Sequence, residues 1–218
     1  MQKILKNGIG SFNKKLIRQI NYFNTFRYMF SIFVKVQQTP NPHSLKFLPG
    51  KNILDEEKTY DFANVRQAMS SPLAIKLFEI KGVNRVFYAK NYVSVGKQEL
   101  TDWSEIKPFV IDTICDYFTK NLELFDSKPQ PEDTKINEND SMTIALIKEI
   151  ISVRIRPTVQ EDGGDIEFIN FEESTGIVYL AMKGSCSGCP SSSVTLKNGI
   201  EKMLMYYVPD VKGVEAID

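Results

Sequence analysis

The sequence predicts an α+β protein of two small mixed domains joined by a flexible acidic linker, the second domain ordered helix-strand-strand-helix-strand. Three observations predict it. Residues 126–140, "DSKPQPEDTKINEND", hold two prolines and no large apolar residue except Ile136, so they have nothing to bury. On their N-terminal side short alternating runs intermingle with helical ones. On their C-terminal side a helix, a hairpin, a second helix and a last strand follow in turn.

The 218 residues carry 27 basic and 27 acidic side chains, and the zero net charge hides an asymmetry. Six basic residues (Lys3, Lys6, Lys14, Lys15, Arg18, Arg27) precede the first acid, Asp55, within the opening 34 residues. The other 21 face all 27 acids, leaving about minus six. Residues 1–33 mix Ile, Leu and Phe with scattered Lys and Arg, which suits an amphipathic helix read by an organellar import receptor, although Ser is sparse and Asn abundant. A basic tail kept on the protein is the other reading. Charges interrupt every candidate secretory core, and no run approaches the ~20 apolar residues of a membrane span. Neither a membrane span nor a nucleic-acid partner is expected.

The first domain is expected over residues 34–125. "FVKVQQ" and "SLKFLPG" read as strands flanking the turn "TPNPH", and "KNILDEEKTYDFAN" reads as polar and irregular. Ser71 can cap a helix whose first turn holds Pro72 and whose inner face holds Leu73, Leu77 and Ile80. "VNRVFYA" and "YVSVG" form a hairpin turning at Lys90 and Asn91. Asp102 with Glu105 resembles a capping box, ahead of a stripe of Trp103, Ile106, Val110, Ile114 and Tyr117. Cys115 on that helix reads as a small core residue, and His43, the lone histidine, as a loop residue.

The second domain is expected over residues 141–218. Asp140 or Ser141 caps a helix with Ile144, Ile147, Ile151 and Ile155 inward and Lys148, Glu149, Ser152, Arg154 and Arg156 on the wet side, and Pro157 ends it. After the glycine turn "EDGGD", "IEFINF" and "IVYLAMK" pair as an antiparallel hairpin. A helix beginning among the serines after Cys189, and the strand "VKGVEAI", complete the chain.

"GSCSGCPSSS" links the hairpin to that helix and carries Cys186 and Cys189, two of the three cysteines. Three cysteines are too few for a disulfide framework, which points to a reducing compartment. A nearby helix N-terminus favours thiolate, which suits a metal–sulfur centre and a redox dithiol alike. An incidental pair is the third reading. A zinc or iron–sulfur centre generally takes four protein ligands, and this domain supplies two thiolates and no histidine, so a bound cluster needs two chains. A thioredoxin-type dithiol needs one chain, but here a helix and hairpin stand where a βαβ unit is expected.

"RIRPTVQEDGGDIEFINFE" followed by "GSCSGCPSSSVTLKNGIEKML" resembles the NifU-type C-terminal domain. "QQTPNPHSLKFLPGK", "SPLAIKLFEIKGVNRVFY" and "DWSEIKP" resemble the N-terminal domain that accompanies it in Nfu iron–sulfur scaffold proteins. The resemblance implies Cys186 and Cys189 as cofactor-binding, metal-ligating residues that hold a 4Fe-4S cluster shared between the two chains of a homodimer. It further implies a carrier without substrate turnover, located in the mitochondrial matrix. Its expected partners are upstream cluster assembly proteins and client apoproteins such as lipoyl synthase and respiratory iron–sulfur subunits. The same CxxC pair leaves a thioredoxin-like dithiol oxidoreductase as the alternative. The first domain carries no evident ligands and reads as a client-docking or orienting module, or as structural support. Lys183, Lys197, Arg154 and Arg156 either balance a cluster's negative charge or are ordinary surface charges.

Overall fold

The structure, a computed structural model, describes residues 32–55, 58–126, 140–187 and 190–217. Nearly all of the expected import segment and linker lies outside the described residues, and so does Cys189.

Five strands make the first sheet: β1 (Lys35–Gln38), β2 (Ser44–Leu48), β3 (Tyr60–Phe62), β4 (Val83–Ala89) and β5 (Tyr92–Lys97). All neighbours are antiparallel, in the order β1-β2-β5-β4-β3. Helix α1 (Pro72–Phe78) starts as its sequence demands: Ser71 Oγ accepts from the Ala74 amide, and proline occupies the first turn. Helix α2 (Trp103–Thr119) is capped by Asp102, whose carboxylate accepts from the Ser104 amide at 2.7 Å. Pro108 is tolerated inside it, early in the helix.

Side chains alternate across a strand, so this sheet has two unlike faces. Phe47, Val86, Tyr88, Val93 and Val95 join Leu73, Leu77, Ile106, Val110 and Ile114 in one apolar core under the helices. Lys46, Phe87, Ala89, Tyr92 and Ser94 lie on the opposite face and are buried too.

The second sheet has the order β6-β7-β8, from β6 (Gly164–Glu172), β7 (Ile177–Gly184) and β8 (Gly213–Ile217). β6 and β7 form the expected antiparallel hairpin. β8 pairs parallel to β7, which requires a crossover, and α5 (Pro190–Tyr207) provides it. The core joins Ile166, Val178 and Leu180 to Ile147, Ile151, Ile200 and Leu204 of the helices. No helix among the described residues is long and apolar enough to cross a membrane.

Four local expectations are corrected. Residues 60–62 form β3, because Tyr60 packs on Phe125 at 4.6 Å and Phe62 on Tyr88 at 5.3 Å; a three-residue strand leaves little period to read. Pro157 does not end its helix. Helix α3 (Met142–Ile150), capped by Ser141, runs through a π turn (Ile151–Ile155) into α4 (Arg156–Glu161), and the wider turn accommodates the residue that cannot donate. Lys148 is not on a wet side: it is 7 % exposed and ion-paired with Asp140 at 2.6 Å. Helix α5 begins at Pro190, ahead of the serines expected to cap it.

Candidate functional site

β7 delivers the chain to the cysteine loop. Gly184, at φ 62°, makes the turn out of the strand, a conformation that favours glycine. The Ser185 amide then donates to Gly163 O, the Cys186 amide to Lys183 O and the Ser187 amide to Gly184 O, each at 3.3 Å. Ser185 Oγ donates to Asp162 O at 2.6 Å, tying the loop to the "EDGGD" turn. A Cβ on Gly164 would stand 2.6 Å from Cys186 Sγ and 2.5 Å from Lys183 O, so only a glycine lets the sulfur sit against β6.

Cys186 is 5 % exposed. Burial pushes its thiol up to about 12, with Asp162 and Asp165 adding to the rise while the Ser185 hydrogen bond and the Arg85 guanidinium oppose it. The expected thiolate-favouring setting is therefore reversed at this residue. Cys186 lies four positions before α5, outside the helix's first turn where the dipole acts. A groove of about 450 Å³ runs from Cys186 between α4 and α5, lined by Ile155, Val159, Leu196, Ile200 and Met203.

Three of the four cations singled out from sequence have other engagements. Lys183 pairs with Glu167 at 2.5 Å, Arg156 with Asp165 at 3.1 Å, and Arg154 lies 4.7 Å over the Tyr207 ring. The cation that reaches the motif is Arg85, which donates from Nη1 to Ser187 Oγ at 2.8 Å and is ion-paired with Asp61. No local pattern marks Arg85 or Asp61, since each is more than a hundred residues from the loop. Cys115 packs beside the helical core and its thiol donates to Ile32 O at 3.0 Å, on the other side of the first sheet. His43 stays in the β1–β2 turn, its Nδ1 3.3 Å from Lys97 Nζ. Among the described residues no group of three or more His, Cys, Asp or Glu side chains is placed to hold a metal ion.

Two family descriptions match the chain in succession: "Scaffold protein Nfu/NifU N terminal" over residues 34–121 and "NifU-like domain" over residues 147–215. NifU-like protein 5, mitochondrial, of Arabidopsis thaliana is 52% identical over 195 residues, covering 88% of this chain and 70% of that protein. The chain belongs to the Nfu/NifU scaffold family. A further relative is the mitochondrial NFU1 iron-sulfur cluster scaffold homolog of Drosophila sechellia, 50% identical over 187 residues. That alignment covers 86% of this chain and 65% of the fly protein, so the chain spans just under two thirds of that Nfu relative's length. A NifU-like protein of Saccharomyces cerevisiae, solved by NMR, is 24% identical with a TM-score of 0.41, over 45% of this chain and 87% of that one. Cys186 falls inside the NifU-like match, whereas Cys115 and His43 fall inside the Nfu N-terminal match.

Proposed function

We propose that this mitochondrial chain is an iron–sulfur cluster scaffold and carrier. It binds a 4Fe-4S cluster through Cys186 and Cys189 of each of two subunits and passes it to client apoproteins without turning over a substrate. Residues 34–125 form its Nfu-type domain, residues 141–218 its cluster-binding domain, and residues 126–140 the tether. Residues 1–33 direct import to the matrix. The observation that carries the reading is a cysteine pair spaced CxxC between a strand and a helix within a NifU-like match, in a chain with only three cysteines and one histidine. Iron–sulfur clusters are held mainly by cysteine sulfur, so four ligands for one cluster require two copies of this pair.

A ligand set split between two chains also suits delivery. Each chain contributes half the bonds, so thiolates of a client can replace one chain's ligands while the other still holds the cargo. The alternative, a dithiol oxidoreductase, calls for an exposed sulfur with a depressed pKa, and the burial of Cys186 opposes it. The test is transfer. Anaerobically loaded protein mixed with a metal-free client, such as apo lipoyl synthase or a respiratory iron–sulfur subunit, should lose its visible absorption as the client gains activity. A client that matures equally fast from free iron and sulfide would refute the carrier role.

A further inference from the structure

We infer that the outer face of the five-stranded sheet is a docking surface for this chain's own cysteine loop, and that the loop must leave it before two chains can share a cluster. The inference rests on the shared-cluster reading above and adds an intramolecular competitor for the second chain.

A sheet with helices on one face ordinarily leaves the other to solvent. Here that other face carries a separate apolar cluster, Phe87, Ala89 and Tyr92, exposed by only 1, 4 and 4 %. The cover consists of the "EDGGD" turn and the loop that bears Cys186. Among the described residues, six hydrogen bonds join this cover, with the end of α4 that leads into it, to the sheet and its flanking turns. Asn41 Nδ2 donates to Ser185 O at 2.9 Å, Lys46 Nζ to Glu161 O at 2.9 Å and Tyr92 Oη to Gln160 O at 2.8 Å. Thr59 Oγ1 donates to Asp165 Oδ2 at 2.6 Å, Arg85 to Ser187 Oγ, and the Gly184 amide to Asp61 Oδ1 at 3.3 Å.

The fit is close because the covering backbone is glycine at the points of contact. A Cβ on Gly163 would stand 3.0 Å from Lys46, Ser94 and Thr39, and one on Gly184 would stand 2.9 Å from the Phe87 ring. Ser94 Oγ, buried on this face, has no hydrogen-bond partner among the described residues. Departure of the loop returns that hydroxyl to water, which favours release over permanent closure.

Cys186 itself packs into the core of the second sheet, while the residues on either side of it are tied to the first sheet, so the docked loop cannot turn its sulfur outward to iron shared with a second chain. Sharing a cluster and docking on the sheet are therefore exclusive, and whatever stabilises one state depletes the other. Cluster loading should expose Phe87 and Tyr92.

The test uses the full reduced chain. Asn41→Ala, Arg85→Ala and Tyr92→Phe together remove three of the six bonds and leave both helical cores intact. Alkylation of Cys186 by iodoacetamide is followed by peptide mass spectrometry, with Cys115 in the same molecules reporting any global opening. The inference predicts that Cys186 reacts about tenfold faster or more in the variant while Cys115 is unchanged. Equal Cys186 rates in two folded proteins overturn it. If Cys115 also accelerates, Tyr92→Phe alone decides, because it removes one hydroxyl and no packing. Cys186 must still react faster at constant Cys115 rate, or the inference is wrong. Iron analysis after reconstitution is a separate readout: no iron in either protein defeats the shared-cluster reading, while the alkylation contrast still decides the docking.

Discussion

Ser71 Oγ lies 2.9 Å from Tyr88 Oη, both residues wholly buried, and the same Ser71 oxygen accepts from the Ala74 amide to start α1. One hydroxyl thus fixes the helix start and satisfies the phenol at the centre of the first core. Ser71→Ala should cost about 2–3 kcal/mol, the sum of a lost cap and a stranded buried phenol. Urea unfolding measures it. Tyr88→Phe in the same chain should recover part of the loss, and strictly additive costs would show that the two oxygens are not coupled.

Gly164→Ala should destabilise the second domain by about 1–3 kcal/mol, because the new methyl meets Lys183 O at 2.5 Å and Cys186 Sγ at 2.6 Å and the backbone contact cannot give way cheaply. The displaced sulfur should also alkylate faster. Unchanged stability and unchanged Cys186 reactivity would contradict this account of the loop.

The raised Cys186 thiol makes a pH prediction with a definite sign. Its folded pKa, about 12, stands above the ordinary value of 9.0, so in between the folded chain binds the proton that the unfolded chain has lost. The stabilisation is complete below the unfolded value and is lost as pH rises toward the folded one. The stability difference between the native chain and Cys186→Ser should therefore shrink from about pH 8 to about pH 11, read from paired urea titrations. A difference that is flat over that range would mean the thiol is solvated in the folded chain.

Asp140→Asn should cost about 1–3 kcal/mol, because it replaces the carboxylate that pairs with the buried Lys148 ammonium by a neutral amide. Thermal melting of the full chain checks it. A loss within that of an ordinary surface substitution would show that water reaches Lys148.

These residues also mark where sequence reading works. Ser71, Asp102 and Ser141 announce three helices because a cap is a local event, and the hairpin at Lys90 and Asn91 is local as well. Pro157 misleads because a π turn one step earlier absorbs the proline, and nothing in "ISVRI" distinguishes that turn from ordinary helix. Lys148 misleads because its partner stands eight residues back, beyond the i,i+4 spacing of a helix face. The spacing of the two cysteines can be read from the sequence, but the surroundings of Cys186 cannot. Asp61 and Arg85 reach the loop through tertiary folding alone, so no window of sequence could place them beside Cys186.

The measurement that bears most directly on the central claim is reconstitution of the chain lacking its first thirty or so residues, anaerobically with iron and sulfide. Iron, acid-labile sulfide and native mass are determined on the same sample. A cluster carrier bridged by the motif predicts about four irons and four sulfides per two chains, lost on Cys186→Ser or Cys189→Ser with both folds retained, and kept on Cys115→Ser. A full cluster retained by Cys186→Ser, or a monomer without iron whose Cys186 and Cys189 form a reversible disulfide, would contradict it.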